Sequence, residues 1–191
     1  MRVANFPAIL VLGLLAGCVG RGQSKPVQAL DERTGVTLAS LKQPIELVQT
    51  AQNAALAFGK RASFAYLGPI EWDRAGTVTY SLWMHVAPGN GRQAADIHVP
   101  AAVTLVLDDG PLTLTPIEAP KLGRPAYKPV ASWGQVAYFA LTAPMLEHMA
   151  ASHRLELDVR ATDDSTLRFS PTHDARAALT EYLRSLGLTG D

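Results

Sequence analysis

Cysteine is nearly absent from this sequence, since Cys18 is the only one among 191 residues. An intrachain disulfide is therefore excluded, and so is a zinc site built on several thiolates. Net charge is absent too, because 17 lysine and arginine residues balance 17 aspartate and glutamate residues. A neutral chain of this kind gives no indication of nucleic acid binding. The protein must fold without covalent cross-links, on its hydrophobic core.

Recognised catalytic and metal-binding motifs are also missing. The five histidines are His85, His98, His148, His153 and His173. His148 and His153 are five residues apart, whereas two ligands on one helical face are four apart. The sequence has neither the Gly-x-Ser-x-Gly elbow of a serine hydrolase nor an Asp-x-Asp-x-Asp-Gly calcium loop. We therefore predict no metal, no cofactor and no catalytic residue, and a catalytic site would have to assemble from scattered side chains.

The N-terminus has a short apolar run, residues 6–17, behind the positive charge of Arg2. A helix that spans a bilayer needs roughly 20 apolar residues, so this run is too short. A charged start, a short apolar core and small residues at its end are typical of a secretory signal peptide. The alternative is a helix or strand of the core, which Pro7, Gly13 and Gly17 disfavour.

The end of this run, Leu15-Ala16-Gly17-Cys18, resembles the lipobox of bacterial lipoproteins. The resemblance implies that residues 1–17 are removed and that Cys18 becomes the first residue, with diacylglycerol on its thiol and an acylated amino group. Two or three acyl chains hold a protein stably on a membrane, whereas one does not. The residue after the cysteine is Val19 and not aspartate. By the same resemblance, this implies that the protein is sorted to the outer membrane and faces the periplasm.

Residues 18–30 are predicted to be a lipidated N-terminus and a flexible tether, because they are rich in Gly, Ser, Gln and Pro without apolar periodicity. Residues 31–191 are predicted to form one globular domain. Alternating segments between turn signals predict a mainly β, antiparallel, sandwich-like fold. Besides a hairpin over residues 64–86, two others are expected to turn at residues 108–110 and 163–164. Short strands are expected near residues 34–39 and 135–142.

Two helices complete the predicted domain. Thr142 is expected to cap a short helix over residues 143–152. Ser170 and Pro171 are expected to begin a C-terminal amphipathic helix that ends at Gly187. Its apolar stripe comprises Ala175, Ala178, Leu179, Tyr182, Leu183 and Leu186. Packing on the sheet is the expected role of this stripe.

The clearest signal is a hairpin over residues 64–86 that turns at Asp73-Arg74-Ala75-Gly76. A type I turn followed by glycine in the left-handed region would place Asp73 opposite Thr77. One face would then carry Phe64, Tyr66, Ile70, Trp72, Val78, Tyr80, Leu82, Met84 and Val86, and the other Glu71, Asp73, Thr77, Thr79 and Ser81.

In that register, Leu67 lies opposite Trp83 and Ala65 lies opposite His85, on the otherwise polar face of the hairpin. This apolar cluster requires a cover. Either the domain itself covers it, or Leu67, Trp83 and His85 form a patch for a ligand or partner.

A second candidate surface is the proline-rich segment 115–134. Its four prolines exclude a central strand or a helix, so we predict an exposed, partly extended loop. Lys121, Arg124, Tyr127 and Lys128 are its candidate binding residues. Such a loop could contact an anionic envelope polymer or a protein, or could be a plain connection between sheets.

Two segments carry further resemblances. Residues 62–86 are similar to the most regular segment of small lipoproteins of Gram-negative bacteria. Residues 141–169 are loosely similar to periplasmic proteins of the invasion-associated locus B type, although the cysteines of that family are missing. Neither resemblance implies catalytic residues. We expect a lipid-anchored, non-enzymatic binding or scaffolding module in the periplasm, with an envelope protein as its candidate partner. The alternatives are an envelope hydrolase and a carrier of a small ligand or metal.

Overall fold

The computed structural model describes residues 26–50, 62–89 and 103–188, which contain eleven strands and two helices. The strands are β1 (Pro26–Asp31), β2 (Val36–Leu41), β3 (Ile45–Gln49), β4 (Phe64–Arg74), β5 (Thr77–Ala87), β6 (Val103–Leu107), β7 (Gly110–Thr113), β8 (Thr115–Ile117), β9 (Gln135–Leu141), β10 (Glu156–Arg160) and β11 (Thr166–Pro171). The helices are α1 (Ala143–Ala151), between β9 and β10, and α2 (Ala175–Ser185), after β11. Cys18, the predicted signal peptide and residues 18–25 of the predicted tether lie outside the described residues.

All described strands belong to one antiparallel sheet that nearly closes into a barrel-like form. Its order is β7-β6-β10-β11-β3-β4-β5-β9-β8, with β2 beside β4 and β1 beside β2. The two ends of this path, β7 and β8, are separated in sequence only by Leu114, whose buried N–H donates to the carbonyl of Val103 at 3.2 Å. The predicted mainly β, antiparallel class is confirmed, whereas a division into two sandwiched sheets is not shown by these pairings.

The β4–β5 hairpin exists, but its predicted register is wrong by one residue. Arg74 pairs with Thr77, so the loop has only two residues, Ala75 and Gly76, with φ of 51° and 85°. Two left-handed residues are the signature of a type I′ turn, which matches the right-handed twist of the flanking strands better than the predicted turn. The carboxylate of Asp73 accepts a hydrogen bond from the Gly76 N–H at 2.8 Å.

The other two predicted hairpins are confirmed. Leu107 pairs with Gly110 across the two aspartates of the β6–β7 turn. Arg160 pairs with Thr166 across the β10–β11 turn, in which Asp164 has a φ of 63°. The strands predicted near residues 34–39 and 135–142 correspond to β2 and β9.

Of the two predicted helix N-caps, one is confirmed and one is wrong. The hydroxyl of Thr142 accepts from the Met145 N–H at 3.3 Å, so the start of α1 is confirmed. The predicted start of the C-terminal helix at Ser170 is wrong, because Ser170 pairs with Val48 as part of β11 and Asp174 is the cap of α2. Strand pairing across 122 positions of sequence is a long-range effect that a local capping pattern does not contain.

The predicted tether overlaps the first strand. Residues 26–30 belong to β1, which pairs along its whole length with β2. The side chains of residues 27–30 are exposed. Because neither side of this edge strand is buried, its sequence shows no alternation, and composition alone suggested a flexible coil.

The helices pack against each other and against the sheet. The stripe predicted for α2 supplies buried Ala175, Leu179, Tyr182 and Leu183, and the Tyr182 hydroxyl donates to the Ala39 carbonyl of β2 at 3.1 Å. Neither described helix combines the length and apolar character required to cross a bilayer.

Candidate functional site

A single loop, residues 118–134 between β8 and β9, lies across the outer face of β4 and β5; we call it the cover loop. Its central residue, Tyr127, fills a gap between the β2–β4 and β3–β4 ladders. The Tyr127 hydroxyl accepts from the Leu41 N–H at 2.9 Å and donates to the Pro69 carbonyl at 3.0 Å. One hydroxyl therefore satisfies two buried backbone groups that have no ladder partner in this gap.

The ring of Tyr127 packs on Trp83 with centroids 5.1 Å apart, and it lies directly over Gly68. A side chain at Gly68 would overlap with this ring, so glycine is required there. Burial raises the pKa of the Tyr127 hydroxyl well above its usual value. The prediction that this loop is exposed is therefore wrong for Tyr127, which is buried. The other three candidate binding residues, Lys121, Arg124 and Lys128, are exposed.

The candidate patch of Leu67, Trp83 and His85 is not a surface. All three side chains are buried, and Leu67 lies opposite Met84 on the other face of the hairpin. The register predicted for Leu67 and Trp83 was therefore wrong. The domain itself covers the outer-face residues, Trp83 through Tyr127 and His85 through the backbone of Val130 and Ala131.

His85 binds the C-terminal part of the cover loop. Its Nδ1 accepts from the Val130 N–H at 3.4 Å, and its Nε2 lies 3.1 Å from the Ala131 carbonyl. Because Nδ1 is an acceptor, the proton sits on Nε2, and the ring is neutral with both nitrogens occupied. Gly134 lies so close to the ring that a side chain there would overlap with it. Burial lowers the pKa of His85, partly offset by the Ala131 carbonyl. These contacts make His85 a structural residue.

The stability of the fold should decrease as the pH falls below about 6.5, because of His85. The unfolded chain takes up a proton at its ordinary pKa of 6.5, whereas the folded state, with its lowered pKa, resists protonation. The contribution is therefore complete above this pH and is lost as the pH falls toward the folded pKa. His85→Gln, which keeps a donor and an acceptor, should flatten this slope in urea unfolding measured from pH 7 to 5; an unchanged slope would contradict the assignment.

Asp31 binds the N-terminal part of the cover loop. Its carboxylate accepts from the Thr34 hydroxyl at 2.6 Å and from the Gly123 N–H at 2.9 Å. These hydrogen bonds, that of Thr34 first, lower the pKa of Asp31. The cover loop is thus attached to the rest of the domain at Gly123, Tyr127 and Val130. It does not cover the outer face of the β4–β5 hairpin near the turn.

That uncovered part forms a cavity of about 480 Å³, which we call the Trp72 groove. It lies between the hairpin on one side and β8 with the start of the cover loop on the other. Its lining residues are Val36, Trp72, Arg74, Thr77, Thr79, Tyr80, Ser81, Ile117, Pro120, Lys121, Leu122 and Ala140.

The Trp72 groove combines a fixed aromatic ring with two cations. The Trp72 indole N–H donates to the Ser81 hydroxyl at 2.6 Å, which fixes the partly exposed ring. Arg74 and Lys121 are exposed, and neither forms an ion pair with any residue of the described ranges. The residues that line the groove include no carboxylate. The groove is therefore suited to a negatively charged ligand.

The corrected register explains this composition. Arg74, paired with Thr77, shares the outer face with Trp72 and the threonines, whereas Glu71 lies opposite Tyr80 on the other face. In the predicted register the carboxylates of Glu71 and Asp73 would have faced outward beside the threonines. A shift of one residue replaces two acids with an aromatic ring and a cation.

A second cavity, of about 350 Å³, lies between the end of α1, β10 and the start of α2. Of the residues that line it, Arg154 forms an ion pair with Glu156 at 2.6 Å, Arg176 lies 2.8 Å from the His153 ring nitrogen, and Asp174 caps α2. Its Ser152 accepts from the Asp108 N–H and donates to the Arg154 carbonyl, so this hydroxyl has a structural role. The arrangement gives no support to a hydrolytic site built on Ser152.

Histidines do not gather into a metal site in the part of the chain that the structure describes. His148 contacts Asp109 at 2.7 Å, and His153 contacts Asp108 at 3.4 Å. No group of three or more histidine, cysteine or acidic residues within the described ranges has the arrangement of a metal centre. His98 lies outside them.

Sequence reasoning did not identify Trp72 and Arg74 as site residues. The signal that could have found them is Ala75-Gly76, since a two-residue loop would have placed both on the outer face. Comparison of the chain with protein-family models, with curated proteins and with solved structures gives no significant match.

Proposed function

We propose that this protein is a lipid-anchored envelope module, not an enzyme, that binds an acidic ligand in the Trp72 groove. The lipobox around Cys18 supports an anchor in the outer membrane, with the domain in the periplasm. The observation that carries the binding role is the groove itself: its lining combines an indole ring held by Ser81 with Arg74 and Lys121, which form no ion pair with any described residue, and it includes no carboxylate.

The ligand class follows from the chemistry of the lining. An indole face offers an apolar platform for the C–H face of a ring whose edges are polar. The guanidinium of Arg74 matches the geometry of a carboxylate or phosphate, and Lys121 adds a second positive charge. Thr77 and Thr79 supply hydroxyl groups that can donate or accept hydrogen bonds. An acidic sugar within an anionic envelope polymer has all the matching features.

Removal of the two cations should abolish most of this binding. For a galacturonic acid hexamer titrated by calorimetry, Arg74→Ala/Lys121→Ala is expected to lower the affinity at least about tenfold, since two charge-assisted contacts of roughly 1 kcal/mol each are lost. The wild-type affinity should also fall as salt is added.

The matched control is Arg124→Ala/Lys128→Ala, which removes the same charge from the cover loop outside the groove. This variant should bind like the wild type, and maltohexaose, a neutral hexamer, should bind to none of them. Equal losses in the two double variants would show general charge attraction and would contradict a site in the Trp72 groove.

A further inference from the structure

The end of the sheet where β4 begins and β5 ends carries a group of exposed apolar side chains. Val130, Trp133 and Val136 are 58%, 62% and 39% exposed and lie within one short stretch of chain. We call them the Trp133 surface. A tryptophan this exposed is unusual for a soluble surface and indicates contact with another phase or molecule.

This surface is held in place from beneath. His85 binds the backbone of Val130 and Ala131, and the Gly134 N–H donates to the Ala131 carbonyl at 3.2 Å, closing a turn that contains Trp133. Val136 pairs with His85 across the β5–β9 ladder. The outward position of Trp133 is therefore built into the fold by buried contacts.

The first described strand, β1, begins on the side of the sheet that faces the same end. Both β1 and β4 are antiparallel to β2, so they run in the same direction. Pro26 pairs with Leu41, whose N–H binds Tyr127 of the cover loop. Followed backward to Pro26, β1 therefore points toward the end of the sheet at which β4 starts and the Trp133 surface lies.

The tether is short. Residues 19–25 separate Cys18 from Pro26, and even fully extended they span only about 28 Å. If Cys18 is anchored as proposed, the start of β1 is therefore held within about 28 Å of the bilayer.

We infer that the Trp133 surface rests on the lipid bilayer that holds Cys18, an inference that depends on the proposed lipid anchor. Tryptophan favours the interface between headgroups and acyl chains. Arg21 and Lys25 lie in the predicted tether, so anionic headgroups add attraction beside the anchor. The Trp72 groove, near the β4–β5 turn at the opposite end, then faces away from the membrane.

Quenching of tryptophan fluorescence tests this orientation. The lipidated mature protein is reconstituted into vesicles of zwitterionic and anionic phospholipid with brominated acyl chains, and iodide is the aqueous quencher. Bromolipid should quench about one third of the emission, because Trp133 is one of three tryptophans, and this share should be protected from iodide. Trp133→Phe should remove the bromolipid effect.

The control exploits another exposed valine. Val130→Ser/Val136→Ser should reduce the quenching by bromolipid at least about twofold, whereas Val78→Ser, at the β4–β5 turn and 44% exposed, should not change it. Quenching by iodide alone would show that Trp133 faces water. Protection from both quenchers would show that a second copy covers it. Either result overturns the inference.

The two proposals fail separately. Flotation of the vesicles and the mass of the N-terminal peptide report the anchor, whereas quenching reports the surface. A lipidated protein that floats without quenching contradicts only the bilayer contact. An N-terminal peptide without lipid contradicts the proposed anchor and the inference together.

Discussion

Tyr127→Ala is expected to lower the free energy of unfolding by about 4 kcal/mol, since a large buried side chain is lost from the interface between the cover loop and the sheet. The substitution also leaves the Leu41 N–H and the Pro69 carbonyl without their partner. Each unsatisfied buried group costs about 1 to 3 kcal/mol when water does not replace the hydroxyl. Urea unfolding followed by circular dichroism measures the loss.

Two further variants separate the contribution of the Tyr127 hydroxyl from that of its ring and provide a control. Tyr127→Phe keeps the ring on Trp83 and removes only the hydroxyl, so it should cost about 2 kcal/mol. Lys128→Ala changes the exposed neighbour in the same loop and should remain within about 0.5 kcal/mol of the wild type. A Tyr127→Ala protein as stable as Lys128→Ala would contradict the role of this loop as a cover of the core.

Cys18→Ser is expected to remove all lipid from the protein, because the thiol is the atom that diacylglycerol would alkylate. Metabolic labelling with radioactive palmitate should give a labelled band for the wild type and none for the variant, and globomycin should no longer affect processing. Unlike a stability change, this effect should be complete.

The control for this change lies at the next residue. Val19→Asp leaves the thiol intact, so it should retain full labelling while, by the lipoprotein resemblance, it moves the protein to the inner membrane. Unchanged labelling of Cys18→Ser would contradict the anchor. The same result would remove the premise that the Trp133 surface lies near a bilayer.

The β4–β5 hairpin shows what sequence could and could not predict. Alternation identified both strands and the position of the turn, because a half-buried strand exposes every second side chain. The register depended on whether Ala75 would adopt a positive φ, at 51° in the structure. Non-glycine residues seldom do so, and the strand twist that favours it acts over the whole hairpin. One residue of error was enough to hide the Trp72 groove.

The cover loop shows a different limit. The prolines of segment 115–134 correctly indicated irregular structure over residues 118–134, whereas Pro116 lies in the edge strand β8. The burial of Tyr127 could not be predicted, because its hydrogen-bond partners, Leu41 and Pro69, are 86 and 58 positions away. A local pattern contains no information on a gap between two ladders.

The most direct test of the proposed function is the indole N–H signal of Trp72 in a nitrogen–proton NMR spectrum. Addition of the galacturonic acid hexamer should shift this signal, since the N–H that donates to Ser81 belongs to the ring on which the sugar would stack. The signals of buried Trp83 and distant Trp133 should stay in place, as should all three with maltohexaose. A shift at Trp133 without one at Trp72, or no shift at saturating hexamer, would contradict a ligand site in the Trp72 groove.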